Sequence, residues 1–161
     1  MGRFCVSLAC DLNEDTPQQV VDILRHMVGL ASVELVNLPR HRFFENEYWD
    51  TLLRVTGLPW FPGEGAATLR RVGRYYRPLS EGGAEVSFYT FSVRCEDSDD
   101  GLTAYIEFFD WLAQYSRTQG FVGYWQYEYT EHPTLVYFQN GRLALSEVQA
   151  PPQIVDWSMS G

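Results

Sequence analysis

Side chains alternate at the start of the chain, setting Phe4, Val6, Leu8 and Cys10 against Cys5, Ser7 and Ala9. Both sets are small or apolar, which predicts a strand buried on both faces, as a central strand is. An acidic turn follows, Asp11-Leu12-Asn13-Glu14-Asp15-Thr16-Pro17. Asp15 or Thr16 suits the N-cap of a helix, and Pro17 its first position. Val20, Val21, Leu24, Met27 and Val28 then recur at helical spacing, and Gly29 is placed to end the helix.

The same grammar returns later. Residues 86–95 are rich in strand formers and lead into Glu96-Asp97-Ser98-Asp99-Asp100-Gly101. Leu102, Tyr105, Ile106, Phe109, Leu112 and Ala113 follow at helical spacing. Setting Cys10 on Cys95 brings Val20 onto Tyr105, Val21 onto Ile106 and Leu24 onto Phe109, so two strand–turn–helix units share one register. Their acidic turns would leave Cys10 and Cys95 at the ends of neighbouring parallel strands. Residues 121–129 and 134–139 read as further strands, and Asn140-Gly141 as a two-residue hairpin turn into Arg142-Leu143-Ala144-Leu145. Strands returning after each helix predict an α+β fold: a ferredoxin-like, two-unit arrangement with an antiparallel-rich sheet and helices mainly on one face.

Between the units, residues 46–55 read as a short helix, 58–63 as a loop, and 67–76 as strand or helix equally well. The chain length suits one α+β domain over residues 1–150, followed by an irregular tail over 151–161 in which Trp157 can anchor.

Charge sharpens this picture. The net charge is −9, with twelve Arg and no Lys among the 161 residues. Residues 1–78 hold nine Arg and nine acids, whereas 79–161 hold three Arg and twelve acids, so the excess belongs to the second half. Such a surface repels a nucleic-acid backbone and attracts a basic protein; it also serves simply as a solvated face. Cys5, Cys10 and Cys95 form no CxxC pair and are odd in number, which fits free thiols in a cytoplasm. No apolar run has the length of a membrane span.

The chemically richest segment is Gly123-Tyr124-Trp125-Gln126-Tyr127-Glu128-Tyr129-Thr130-Glu131-His132-Pro133. As a strand it shows Trp125, Tyr127 and Tyr129 on one face and Tyr124, Gln126 and Glu128 on the other. With Glu131 and His132 at its end and Arg94 on the other unit, it is the candidate binding surface. Glu128 or Glu131 beside His132 is a candidate acid–base pair, but a core face, a solvent face and a turn explain the same pattern. Glu96, Asp97, Asp99 and Asp100 form an acidic patch. Asp97 and Asp99 match the first two ligand positions of a calcium loop, but Gly101 stands at the third, so no metal is expected. The three histidines lack zinc spacing, and no phosphate loop, nucleophile elbow or dinucleotide fingerprint is present, so no cofactor is expected either. The basic-aromatic stretch Arg70-Arg71-Val72-Gly73-Arg74-Tyr75-Tyr76-Arg77 is read as paired with the protein's own carboxylates or with an anionic ligand rather than with nucleic acid.

The segment from Asp11 to Val21, with Gly120-Phe121-Val122-Gly123-Tyr124 and His132-Pro133-Thr134-Leu135-Val136-Tyr137, resembles a group of small bacterial proteins of uncharacterised activity. The resemblance spans most of the chain and implies no chemistry. The residues themselves point first to a non-enzymatic, acidic, cytoplasmic binding protein of a bacterium, of the immunity or inhibitor kind that neutralises a basic toxin or enzyme. The alternative is a small ferredoxin-like enzyme or ligand-binding domain, with Tyr124, Glu128, His132 and Arg94 lining a pocket between sheet and helices. A homodimer through the sheet face is compatible with either.

Overall fold

The computed structural model describes residues 2–30, 35, 37–54, 67–147 and 151–159. Among these residues seven antiparallel strands form one sheet: β1 (Arg3–Asp11), β2 (Ala67–Tyr76), β3 (Glu85–Ser98), β4 (Gly120–Tyr127), β5 (Thr134–Gln139), β6 (Arg142–Glu147) and β7 (Gln153–Ile154). Their order across the sheet is β2-β3-β1-β4-β5-β6-β7. Helix α1 (Gln18–Met27) follows β1, and α2 (Leu102–Ala113) follows β3. The fold is therefore a sheet-dominated α+β arrangement with few helices. The expected loop over 58–63 lies outside the described residues.

β1 is central, as its composition predicts, but it is sealed on one face only. Phe4, Val6, Leu8 and Cys10 are buried with the apolar sides of both helices, whereas Cys5 and Ser7 are half-buried and Ala9 is exposed. The small residues that read as a second buried face are uncovered by any described helix. β1 runs antiparallel to β3, with Val6 opposite Cys95 and Cys10 opposite Phe91. This corrects the expectation of neighbouring parallel strands: the two cysteines sit four register positions apart. Burial pushes the Cys10 thiol up to about 12 and the Cys95 thiol up to about 11, so both are inert.

Neither Asp15 nor Thr16 caps α1. Pro17 stands at the cap position, and its carbonyl accepts from the Val20 and Val21 N–H groups. The far end closes as Gly29 N–H donates to His26 O and Leu30 N–H to Arg25 O, the paired bonds of a Schellman turn. α1 is amphipathic, burying Val20, Val21, Ile23, Leu24 and Met27. α2 buries Leu102, Tyr105, Phe109, Leu112 and Ala113 of the predicted set, half-buries Ile106, and adds Phe108 and Trp111, so apolar contact surrounds most of it. Its cover is an aromatic shell from 3₁₀ turns at Arg42–Glu45 and Trp49–Arg54, the second standing where a helix over 46–55 was expected, of which residue 55 lies outside the described residues. Phe43 is fully buried and stacks on Trp111 at 6.5 Å, and Phe44 meets the same indole edge-on at 5.0 Å. Burying each such ring contributes about 2–3 kcal/mol.

β3 runs three residues beyond the expected end at Cys95, so Glu96 and Asp97 are strand residues and only Asp99–Gly101 form the turn. β4 ends at Tyr127, before Tyr129, which therefore does not share the Trp125 and Tyr127 face. Its Gly123 lies where a Cβ would stand 2.0 Å from the Ser7 carbonyl oxygen and 2.8 Å from Leu8 Cα, so only glycine lets β4 approach β1 there. Asn140 and Gly141 both have positive φ, 53° and 75°, as the predicted hairpin turn requires. The tail is not wholly irregular: Ile154 pairs with Ala144 and Gln153 with Leu145, and the Arg42 guanidinium lies 5.4 Å from the Trp157 ring centroid.

Candidate functional site

On the face that no described helix covers, residue size along β1 and its neighbours creates a groove. Ser7 stands between Arg94 on β3 and Tyr124 on β4, and Cys5 stands between Glu96 and Gln126. Small side chains thus form the middle row and tall ones the two flanking rows. The resulting cavity of about 400 Å³ is lined by Arg3, Cys5, Arg94, Glu96, Tyr124, Gln126 and Glu128, with Tyr127 at its end.

One end of the groove is closed. Arg3 Nε donates to Glu96 Oε1 at 2.8 Å, the Arg3 backbone N–H donates to Glu128 Oε1 at 3.3 Å, and the Glu128 N–H donates to Arg3 O at 3.0 Å. Cys5 Sγ lies 3.7 Å from the Gln126 carbonyl, and Gln126 Nε2 donates to Thr130 O at 3.0 Å. Arg3 is committed to Glu96, whereas the Glu128 carboxylate meets, among the described residues, the Arg3 backbone N–H and no cationic side chain.

A second depression, about 380 Å³, lies at the same end of the sheet and shares Gln126 and Tyr127 with the groove. Thr130, Glu131, His132 and Glu147 help to line it. The antiparallel register explains this crowding. Ser98 pairs with Arg3, Asp97 and Tyr127 with Phe4, and Thr134 with both Trp125 and Glu147, so the acidic ends of β3, β4 and β6 meet at one edge. Asp100, Glu128, Glu131 and Glu147 carry no ion pair among the described residues.

The structure thus gathers Arg94, Tyr124, Gln126, Tyr127 and Glu128 in the groove, and Trp125, Glu131 and His132 around the edge depression. Trp125 is buried on the helix-covered face opposite Val6 and reaches this region only from beneath. The groove is not between sheet and helices, where a pocket of Tyr124, Glu128, His132 and Arg94 was expected: those faces are filled by aromatic packing. Arg3 and Cys5 line the groove although sequence reading did not select them.

Two other polar clusters are structural. His41, 69 residues before Asp110, accepts the Phe43 N–H on Nδ1 at 3.1 Å, so its proton sits on Nε2 and points to Asp110 Oδ2 at 3.0 Å. Burial works to raise the Asp110 carboxyl, but the bonds from His41, the Leu143 N–H and the Trp157 side chain outweigh it and hold the group below the ordinary aspartate range. With both ring nitrogens engaged, this pair pins the 3₁₀ turns to α2 rather than moving protons. At the sheet end away from the acidic edge, Glu14 accepts from Tyr75 Oη at 2.5 Å and from Arg77 at 2.6 Å. The Tyr75 bond, with the Arg77 charge, holds the Glu14 carboxyl below its usual range. Part of the basic-aromatic stretch is therefore paired with the protein's own carboxylate.

Among the described residues no group of three His, Cys, Asp or Glu side chains is placed to hold a metal ion, and no helix is long and apolar enough to cross a membrane. Compared with protein-family models, with curated proteins and with solved structures, the chain finds no match.

Proposed function

We propose that the chain is a non-enzymatic bacterial binding protein, cytoplasmic in location, whose recognition surface is the face over β3, β1 and β4 that no described helix covers. Its partner is a protein presenting positive charge, as when an immunity or inhibitor protein neutralises a basic toxin or enzyme. The observation that carries this reading is the groove: a concave, partly aromatic hollow on a sheet face that no described helix covers, bounded at one end by Glu128, which carries no ion pair among the described residues. Tyr124 supplies the flat apolar body with a polar tip that protein interfaces favour.

The scaffold under this surface is, on the same reading, a ferredoxin-like arrangement carrying a three-strand extension. Its support is the succession β1-α1-β2-β3-α2-β4 with strand order β2-β3-β1-β4, to which β5, β6 and β7 are added at one side.

The test is affinity capture from host lysate at low and high salt, with wild type beside Glu128→Arg and Tyr124→Ala. A basic partner held at low salt, released at high salt and lost from both variants supports the reading. A partner retained by both variants, or no specific partner at all, overturns it. One observation favours a second reading, a small-molecule site: about 400 Å³ lies within the size range of ligand pockets. It predicts a compound that raises the melting temperature of wild type but not of Tyr124→Ala.

A further inference from the structure

We propose that the groove receives an extended basic segment of the partner, lying along β1 with one cationic side chain ending at Glu128 and a second reaching over the edge to Glu131 and Glu147. The inference rests on the binding reading above and names the chemistry of what binds.

Width decides the conformation of the occupant. The Arg94–Glu96 row and the Tyr124–Gln126 row stand on strands either side of β1, two strand spacings or about 10 Å apart between backbones. Side chains on both rows narrow the opening further. An α-helix with its side chains is about 10–12 Å across and does not fit, whereas one extended chain does. The groove is closed where Arg3 bonds to Glu96 and Glu128, and β1 continues away from that end through Ser7 to exposed Ala9. A segment therefore enters from the Ala9 side and ends at Glu128.

Beyond Arg94, at the closed end, charge decides its composition. At the closed end Arg3 is already paired, while Glu128, Glu131 and Glu147 carry no ion pair among the described residues. The two hollows share Gln126 and Tyr127, so a side chain near the end of the segment reaches over this edge toward Glu131 and Glu147. A cationic side chain in each supplies what the carboxylates lack, and a guanidinium also lies well on the Tyr124 ring. A second copy of this chain is disfavoured as occupant because each copy carries net charge −9.

Cys5 reports occupancy. It lines the groove half-buried, whereas Cys10 and Cys95 are buried. The probes are three blocked peptides, alike except at two positions that hold arginine, its neutral isostere citrulline, or glutamate. Each is titrated against wild type, Glu128→Gln and Glu131→Gln/Glu147→Gln, with Cys5 alkylation by neutral iodoacetamide as readout and urea unfolding to check that each variant folds. The arginine peptide is expected to slow Cys5 alkylation about tenfold at saturation, and each variant to weaken its binding about tenfold. Equal protection by the citrulline or glutamate peptide overturns the inference, as does arginine-peptide binding unchanged in Glu128→Gln. Cys5 protection that grows with protein concentration alone, alongside a dimer in sedimentation, replaces the basic segment with a second copy. If the captured partner protects Cys5 and the arginine peptide does not, the binding reading stands and this inference falls; if the partner leaves Cys5 fully reactive, both fall.

Discussion

Within the nine residues of β1, Phe4, Val6, Leu8 and Cys10 face a packed interior, while Cys5, Ser7 and Ala9 face an open trough. The two sets alternate along one backbone and share its hydrogen bonds. Both looked suitable for burial, because small residues are as common inside proteins as large ones. The neighbours separate them: Phe91, Val93 and Trp125 close over the first set, while Arg94, Glu96, Tyr124 and Gln126 stand around the second. A small residue flanked by large polar ones marks a floor, and a large residue flanked by large apolar ones marks a core.

Substitutions on the two faces should break along this line. Phe109→Ala, beneath the sheet on α2, should cost about 3–5 kcal/mol in urea unfolding and leave groove chemistry unaltered in whatever fraction stays folded. Gly123→Ala attacks the seam between β1 and β4, common to both faces. With the Ser7 carbonyl in its way, it should cost about 3 kcal/mol and also weaken partner capture, since Tyr124 moves with the strand.

His41→Ala removes a turn cap and the Asp110 contact together, for about 2 kcal/mol near neutral pH, without touching the open face. Its pH signature is specific. A carboxyl held low in the folded state gives stability that is present above its unfolded value and lost as pH falls through about 4. Freed of His41, Asp110 is held less low, so the variant should lose less stability on acidification than the parent does. The smallest stability effect belongs to Tyr124→Ala, below about 0.5 kcal/mol, although it should abolish capture. A large stability loss there would show that the open face is structural after all.

Local grammar was readable wherever the chain satisfies itself over short range. The hairpin at Asn140-Gly141 depends on two positive φ angles that those residues adopt readily, and the α2 stripe depends only on helical spacing. The division of Tyr124, Gln126 and Glu128 from Trp125 and Tyr127 followed from strand alternation. What depends on distant pairing was not readable. Nothing near His41 indicates Asp110, and nothing near Cys5 indicates that Glu96 and Gln126 will flank it. The α1 cap failed for a local reason: Thr16 Oγ1 turns back to donate to Asn13 O at 2.5 Å, a competing turn bond.

The place of β1 also governs how the molecule is made. Leu8 pairs with Val93 on one side and Gly123 on the other, so β1 does not have both of these neighbours until more than a hundred further residues have been made. β5 and β6, joined by two residues, can pair within microseconds of emerging, but the sheet centre must wait. Until β3 and β4 are made, Phe4, Val6 and Leu8 wait for their strand partners, open to chaperone capture or to pairing with a neighbouring chain. Refolding of the full chain should accordingly be slow for its size, its rate limited by closing β1 between β3 and β4.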